Sequence, residues 1–193
     1  MSPSTPTPSP SSPFTPHKSE SVFSLASSVI ALLKSTNSTL ACAESLTAGL
    51  LMAALTSVPG ASSVFRGGVV SYATPLKQHL LQVDAELIAK EGVIHEDVVA
   101  QMAKGAKEIT ICEGVPTTWG IGTTGVAGPG EQDGKPVGMV FIGVAGPEGA
   151  KAWGPFRFPG GREAVREATV LEALLRLREE LTSRRAIEAE NGI

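Results

Sequence analysis

Ser45 is the side chain whose position in the sequence best suits nucleophilic chemistry. It lies in the segment AESLTAG, where an apolar run with strand composition at residues 39–43 gives way to a helical pattern that starts at Leu46. The first amides of a helix lack intrahelical partners, so they stabilise negative charge that develops beside a hydroxyl. Serine is also a preferred N-cap residue. Position alone therefore leaves two interpretations, a nucleophile or a helix cap.

A serine nucleophile needs a base, and Lys77 is the candidate that the sequence favours. His17, His79 and His95 are interpreted as solvated side chains in a tail, a short helix and a helix start. An ordinary lysine is neutral in only about one molecule in 2,500 at pH 7, but burial can lower its pKa by several units. Leucines flank Lys77, and the nearby Tyr72 hydroxyl can relay a proton or orient the amine. A solvated surface lysine is the alternative.

The segment TGVAGPG is a glycine-rich loop whose backbone amides are not shielded by side chains, which suits a phosphate group. Its candidate binding residues are Thr124, Gly125, Gly128 and Gly130. The loop lacks the Gly-Lys-Ser/Thr ending of the Walker pattern and is a poor match to the dinucleotide fingerprint. A tight connection between two strands explains the composition equally well.

Arg162 and Arg166 lie one helical turn apart near the start of the last predicted helix. The helix dipole disfavours cations at that end, so an anion held there would explain the placement. Salt bridges with Glu163 or Glu167 are an equally good explanation.

Strand and helix patterns alternate along the chain and must position these residues. Helices are predicted at residues 21–34, from 46 to the breaker at 59–60, from 74, and at 84–90, 95–111 and 162–181. Strands are predicted at residues 39–43, 64–72, 117–124, 137–145 and 150–158, the last two as a hairpin. Gly67 and Gly68 in the second strand predict a bulge or a close backbone approach.

This alternation predicts a three-layer α/β/α sandwich with a mixed sheet. Ligands in such sheets bind at the carboxyl ends of the strands. Ser45, Tyr72 with Lys77, and the glycine-rich loop each follow a strand. If the three strands run parallel, these candidate residues share one edge of the sheet.

The composition sets limits on domain number and on function. A chain of 193 residues with 42% apolar residues predicts one domain of ordinary size. The net charge of −3 and the scattered basic residues argue against nucleic acid or an anionic membrane as a partner. Cys42 and Cys112 lack companions at ligand spacing, so neither a metal site nor a disulfide framework is expected.

The ends of the chain differ in composition from the middle. Residues 1–20 hold six of the 14 prolines and predict a disordered tail. Residues 21–182 form the predicted domain, and the charged residues 183–193 are predicted to fray. The sequence contains no apolar run of about 18 residues and no secretory signal, and an organellar transit peptide is disfavoured because the first arginine is Arg66. A reducing, cytoplasmic compartment is expected.

Five motifs then occur in a familiar order, namely AESLTAG, VPGASSVFRGGVVSYATPLK, GVIHEDV, TTGVAGPGEQDGKPVGMVFIG and FPGGREAVR. Over about residues 22–181 this order resembles the C-terminal domain of the CinA (competence/damage-inducible) family, the nicotinamide mononucleotide deamidases. The resemblance implies an α/β/α domain that hydrolyses the carboxamide of nicotinamide mononucleotide to nicotinate mononucleotide and ammonia. It also implies a serine nucleophile, a lysine partner and a nearby tyrosine, which match Ser45, Lys77 and Tyr72. Catalysis then becomes the favoured interpretation.

The resemblance carries further expectations for substrate binding. Thr47, the loop from Thr124 to Gly130, and one or both of Arg162 and Arg166 are expected to position the ribose phosphate, without a metal or other cofactor. The rival interpretations are a non-catalytic nucleotide-binding module and a hydrolase of a different amide. The apolar last helix leaves room for a homo-oligomer.

Two positions depart from the family pattern. Ala48 stands where the family usually has glycine, and Leu46 where it often has cysteine. The added bulk is expected to narrow the pocket and to affect substrate fit more than mechanism. The amino-terminal nucleotide-hydrolysing domain of some relatives is not expected, so the chain is interpreted as the stand-alone form.

Overall fold

The computed structural model describes residues 20–191, so the predicted tail lies outside the described residues except for Glu20. The helices are α1 Val22–Ser35, α2 Leu50–Thr56, α3 Thr74–His79, α4 Ala85–Glu91, α5 Glu96–Ile109 and α6 Arg162–Asn191, with a 3₁₀ turn at Ala61–Ser63. The strands are β1 Leu40–Glu44, β2 Phe65–Val70, β3 Trp119–Gly125, β4 Met139–Gly146 and β5 Gly149–Arg157.

The five strands form one mixed sheet in the order β2-β1-β3-β4-β5. Strand β1 pairs in parallel with both β2 and β3, whereas β4 is antiparallel to β3 and to β5. The condition that the first three strands run parallel is thus confirmed. Their carboxyl ends meet at one edge of the sheet, and the β4–β5 hairpin is present as predicted.

Helices cover both faces of this sheet, which confirms the α/β/α prediction. Alternate residues of β1 show the two sides. Leu40 and Cys42 belong to the larger apolar core, which includes residues of α1, α2 and α6, while Ala41 and Ala43 belong to a core with α5. Within the described residues, none of the helices has both the length and the apolar character needed to cross a bilayer.

Strand β2 lies unusually close to β1 at Gly68, as the paired glycines predicted. A Cβ atom at Gly68 would clash with the carbonyl oxygen of Cys42, so only glycine fits there. The register of the two strands also shifts between Leu40 and Ala41. The close approach and the strand irregularity, which were predicted as alternatives, are therefore both present.

The last helix is longer than predicted. Its predicted end at Leu181 is wrong, because α6 continues to Asn191 through the segment that was expected to fray. Arg184 pairs with Glu188 one turn ahead at 2.7 Å, and also with Glu148 in the β4–β5 turn. Apolar periodicity fades after Leu181, so a prediction from the apolar pattern alone stopped too early.

Candidate active site

Ser45 begins a tight turn of residues 45–49 between β1 and α2, which we call the nucleophile turn. Its amide donates to the Thr123 carbonyl at 3.1 Å and so continues the pairing of β1 with β3. Helix α2 begins only at Leu50, with Gly49 as N-cap at φ +96°. The interpretation of Ser45 as the cap of this helix is therefore wrong, and its hydroxyl is available for other contacts.

Glu44, which the sequence analysis missed, caps α2 instead. Its side chain is fully buried, and its carboxylate accepts from the amides of Gly49 at 2.8 Å, Leu51 at 3.2 Å and Met52 at 2.7 Å. These bonds occupy amides at the start of α2, so they are not free to hold a developing anion. A glutamate at the end of an apolar strand, just before a helix, was the signal that such a cap existed.

Lys77 lies on α3 and reaches into the site as a buried cation. Its side chain is 1% exposed, and its Nζ donates to the Ser45 Oγ at 3.2 Å and to the Ser71 carbonyl at 2.6 Å. The interpretation as a surface lysine is wrong. Burial lowers the pKa of Lys77 to about 8, so about one molecule in ten carries a neutral amine at pH 7.

Tyr72 stands at the mouth of the site, and in the described part of the chain no hydrogen bond joins its hydroxyl to the Lys77 amine. Its side chain is 55% exposed, and its hydroxyl accepts from the Arg162 guanidinium at 2.6 Å. Among the described residues it is the Ser71 carbonyl, which sequence reasoning missed, that orients the Lys77 amine. Arg162 also donates to the Gly128 carbonyl at 2.8 Å and thereby bridges the two sides of the mouth.

These groups surround a cleft of about 300 Å³ at the carboxyl ends of the parallel strands. The predicted residues that line it are Ser45, Tyr72, Lys77, Thr124, Gly125, Gly128, Gly130 and Arg162. Leu46, whose bulk was expected to narrow the pocket, also lines it, and lining residues that were not predicted include Val93, Ile94, Glu131 and Gln132. The Thr124 hydroxyl is engaged elsewhere, since it donates to the Val93 carbonyl at 2.7 Å.

Thr47 and Arg166 occupy a different place from the other predicted binding residues. The described residues that line the cleft include neither of them. Thr47 is fully buried, with its hydroxyl 2.8 Å from that of Thr123. Arg166 is half-buried and donates to the Thr47 carbonyl at 3.0 Å. Thr47 belongs to the nucleophile turn, and Arg166 contacts that turn without lining the cleft.

The cysteines and acidic residues show no metal-binding arrangement. In the part of the chain that the structure describes, no group of three or more His, Cys, Asp or Glu side chains is placed to hold a metal ion. Burial, followed by the Glu44 charge, raises the pKa of the Cys42 thiol well above its ordinary value. Cys42 is therefore a neutral core residue.

Sequence comparisons identify relatives of this domain. The model of the CinA C-terminal domain matches residues 22–181. A CinA-like protein of Parasynechococcus marenigrum (strain WH8102) is 49% identical over 160 residues, which are 82% of this chain and 37% of that protein. A CinA-like protein of Frankia casuarinae is 47% identical over 151 residues, or 78% of this chain and 34% of that protein. The chain thus spans roughly a third of the length of these curated relatives.

Structural comparisons give the same result. The competence/damage inducible protein CihA from Agrobacterium tumefaciens is 31% identical with a TM-score of 0.76, covering 83% of this chain and 95% of that one. A CinA superfamily protein from Klebsiella pneumoniae is 30% identical with a TM-score of 0.78, covering 85% and 99%. The chain therefore belongs to the CinA C-terminal domain family.

Proposed function

We propose that this chain is an amidohydrolase that converts nicotinamide mononucleotide to nicotinate mononucleotide and ammonia. The observation that carries the proposal is the 3.2 Å contact between the Ser45 hydroxyl and the amine of Lys77, which is 1% exposed. A lysine that titrates near neutral pH beside a serine is the arrangement expected of a Ser-Lys dyad. The resemblance of the motifs, and not the geometry, supplies the identity of the substrate.

The contacts of Lys77 support its role as a base because they leave the lone pair of its neutral amine available to Ser45. A neutral amine has two N–H groups and one lone pair. The Ser71 carbonyl accepts one N–H at 2.6 Å, which leaves the lone pair free to accept the Ser45 proton across the 3.2 Å contact. Ser45 Oγ then attacks the carboxamide carbon while its proton passes to Lys77.

The remaining steps return both groups to their starting state. The carbon–nitrogen bond of the tetrahedral intermediate breaks, and Lys77 returns the proton to the leaving amide nitrogen, which departs as ammonia. Water then attacks the ester on Ser45 and gives a proton to Lys77. When the ester bond breaks, the Ser45 oxygen takes that proton back and nicotinate mononucleotide is released.

The oxyanion of each intermediate needs donors other than the amides that Glu44 occupies. The backbone amides of Leu46 and Thr47 in the nucleophile turn have no acceptor among the described residues. Leu46 also lines the cleft beside Ser45. The Thr47 residue is fully buried and does not line the cleft, so we assign the Leu46 amide alone as an oxyanion donor.

The phosphate of the substrate fits best at the mouth of the cleft. The Arg162 guanidinium is exposed there, and the amides of Gly128 and Gly130 have no acceptor within the described part of the chain. A guanidinium beside free amides on a glycine-rich loop suits a phosphate dianion. Tyr72 is placed to contribute its hydroxyl next to Arg162.

Ammonia release from nicotinamide mononucleotide by the purified chain tests the proposal. The unchanged chain should release ammonia, Ser45→Ala should not, and Ser62→Ala, at an exposed serine away from the cleft, should match the unchanged chain. Equal release by Ser45→Ala would exclude Ser45 as the nucleophile. Thermal stabilisation by the nucleotide without ammonia release would favour the non-catalytic binding module, and release only from another amide would change the substrate.

A further inference from the structure

Both ends of the nucleophile turn are fixed to the sheet by contacts that the proposed steps do not use. The Ser45 amide donates to the Thr123 carbonyl of β3 at 3.1 Å. At the other end, the Gly49 amide donates to the buried Glu44 carboxylate of β1 at 2.8 Å. These two bonds fix where the turn begins and ends, and the Ala48 amide closes the turn locally by donating to the Ser45 carbonyl at 3.1 Å. Neither the end bonds nor this local bond ties the middle of the turn to the rest of the fold.

Thr47 is the residue through which the middle of the turn is held. Its hydroxyl lies 2.8 Å from the Thr123 hydroxyl, which is also fully buried. Its carbonyl accepts from the Leu50 amide at 3.1 Å and from Arg166 at 3.0 Å. The Arg166 contact comes from α6, across the layer boundary, from a residue 119 positions away in the chain.

The position of Arg166 next to the nucleophile turn lowers the stability of the fold. Its Nε is buried and has no hydrogen-bond partner among the described residues, and an unpaired buried N–H destabilises the fold. This atom is buried and Arg166 does not line the cleft, so the residue is not placed to contact a molecule bound there. The hydrogen bond to the Thr47 carbonyl is the contact that explains its position.

We propose that Arg166 and Thr47 are positioning residues, which hold the Leu46 amide and Ser45 in the geometry required for attack, and are not substrate contacts. The inference rests on the part of the proposed function that makes Ser45 the nucleophile, and it is independent of the substrate. It predicts that loss of Arg166 slows the chemical step and leaves substrate affinity unchanged.

A fluorophosphonate probe reports on this geometry without the nucleotide. The Ser45 oxygen attacks phosphorus, the phosphorus–fluorine bond breaks, fluoride leaves, and the hydroxyl proton passes to Lys77. We expect Arg166→Met to label about 10- to 100-fold more slowly than the unchanged chain, with Arg166→Lys in between. Arg185→Met, at an exposed arginine of the same helix, is the matched control and should label at the unchanged rate.

The kinetics of ammonia release complete the test. With nicotinamide mononucleotide, Arg166→Met should lower kcat and leave KM within about twofold. A raised KM with unchanged labelling would make Arg166 a substrate contact and overturn the inference. Thr47→Val removes the hydroxyl contact without removing a charge. It therefore tests the positioning of the same turn if Arg166→Met does not fold.

The two proposals fail in different ways. If Ser45 is labelled in an Arg166-dependent manner but no ammonia is released from the nucleotide, the positioning inference stands and the substrate is wrong. If Ser45 of the unchanged chain is not labelled at all, the inference falls. Equal labelling of the unchanged chain, Arg166→Met and Thr47→Val would also overturn it.

Discussion

The two walls of the cleft differ in how deeply their residues are buried. The nucleophile wall consists of the nucleophile turn with Lys77, and the glycine-loop wall consists of residues 124–132 with Arg162. On the first wall Leu46 is 3% exposed and Lys77 is 1% exposed, and behind these lining residues Thr47 and Glu44 are fully buried. On the second wall Thr124, Val126 and Ala127 are buried at the base, whereas Gly130, Glu131, Gln132 and Arg162 are exposed at the mouth.

This difference separates chemistry from binding. A base whose pKa must fall towards neutrality needs desolvation, and a nucleophile needs fixed neighbours, so both require a buried wall. A phosphate keeps much of its hydration and can be held at an exposed arginine and a glycine-rich loop. Changes on the nucleophile wall should therefore alter kcat or stability, and changes on the glycine-loop wall should alter KM.

The largest expected effect is on turnover in Lys77→Met. Methionine has a similar length and no proton to transfer, so kcat should fall by about 10³-fold. Ammonia release measures this loss. Lys104→Met, at an exposed lysine of α5, is the control and should keep the activity of the unchanged chain. Unchanged turnover in Lys77→Met would exclude the lysine as base.

The same variant should change how stability depends on pH. Because the folded pKa of Lys77 is about 8, below its ordinary value of 10.5, the charged amine destabilises the folded state by about 3 kcal/mol below pH 8. That cost disappears as the pH rises from about 8 to 10.5, so Lys77 contributes a rise in the free energy of unfolding across this window, while the raised pKa of the Cys42 thiol contributes a fall at its upper end. Lys77→Met keeps the Cys42 contribution and loses that of Lys77, so the stability difference between the unchanged chain and the variant should shift by about 3 kcal/mol in favour of the unchanged chain between pH 8 and 10.5.

Glu44→Gln should lower stability more than it lowers binding. The amide retains one acceptor oxygen for three donor amides and loses the charge, so we expect a loss of about 2 kcal/mol in the free energy of unfolding. Denaturant titration measures the loss. Glu86→Gln, at an exposed glutamate in the first turn of α4, should stay within about 0.5 kcal/mol of the unchanged chain. Equal stability of both variants would show that the buried cap is not needed.

Arg162→Met tests the glycine-loop wall. Loss of one charged contact to the phosphate should raise KM about tenfold, with kcat changed less than about twofold. Steady-state kinetics of ammonia release separate the two constants. A large fall in kcat at constant KM would mean that Arg162 acts on the chemical step, and the distinction between the two walls would be lost.

The smallest expected effect is that of Ala48→Gly. Ala48 lies in the nucleophile turn with φ of +49°, a left-handed conformation that disfavours a Cβ atom. Glycine relieves that strain, which raises the free energy of unfolding. The greater freedom of the unfolded chain offsets part of the gain, so the net rise should be less than about 1 kcal/mol. Ala89→Gly, at an exposed helical alanine of α4, is the control, and its free energy of unfolding should fall by about 1 kcal/mol. A lower free energy of unfolding in both variants would contradict backbone strain at Ala48.

The order of elements and the edge where the site forms could be predicted from local patterns. Alternating apolar runs and helical periodicity located the strands. The leucines beside Lys77 made its burial only one of two interpretations, and Leu76 and Leu80 are themselves 37% and 41% exposed. The end of α6 was missed because the pairing of Arg184 with Glu148 joins residues that are 36 positions apart.

The contacts that organise the cleft were harder to predict. The Ser71 carbonyl that orients Lys77 is a backbone atom, and backbone atoms carry no signal in residue type. The contacts of Arg162 with Tyr72 and of Arg166 with Thr47 span 90 and 119 positions, so they depend on how the layers pack. The sequence identified both arginines but could not distinguish the one at the mouth from the one behind the turn.

The pH dependence of kcat/KM for ammonia release between pH 7 and 10 tests the central claim most directly, because it reports the titration of the base in the free enzyme. The neutral amine is the active form, so kcat/KM should rise with pH and level off above the Lys77 pKa of about 8. A profile that is flat across this range, or that continues to rise towards pH 10, would contradict a buried Lys77 as the base that activates Ser45.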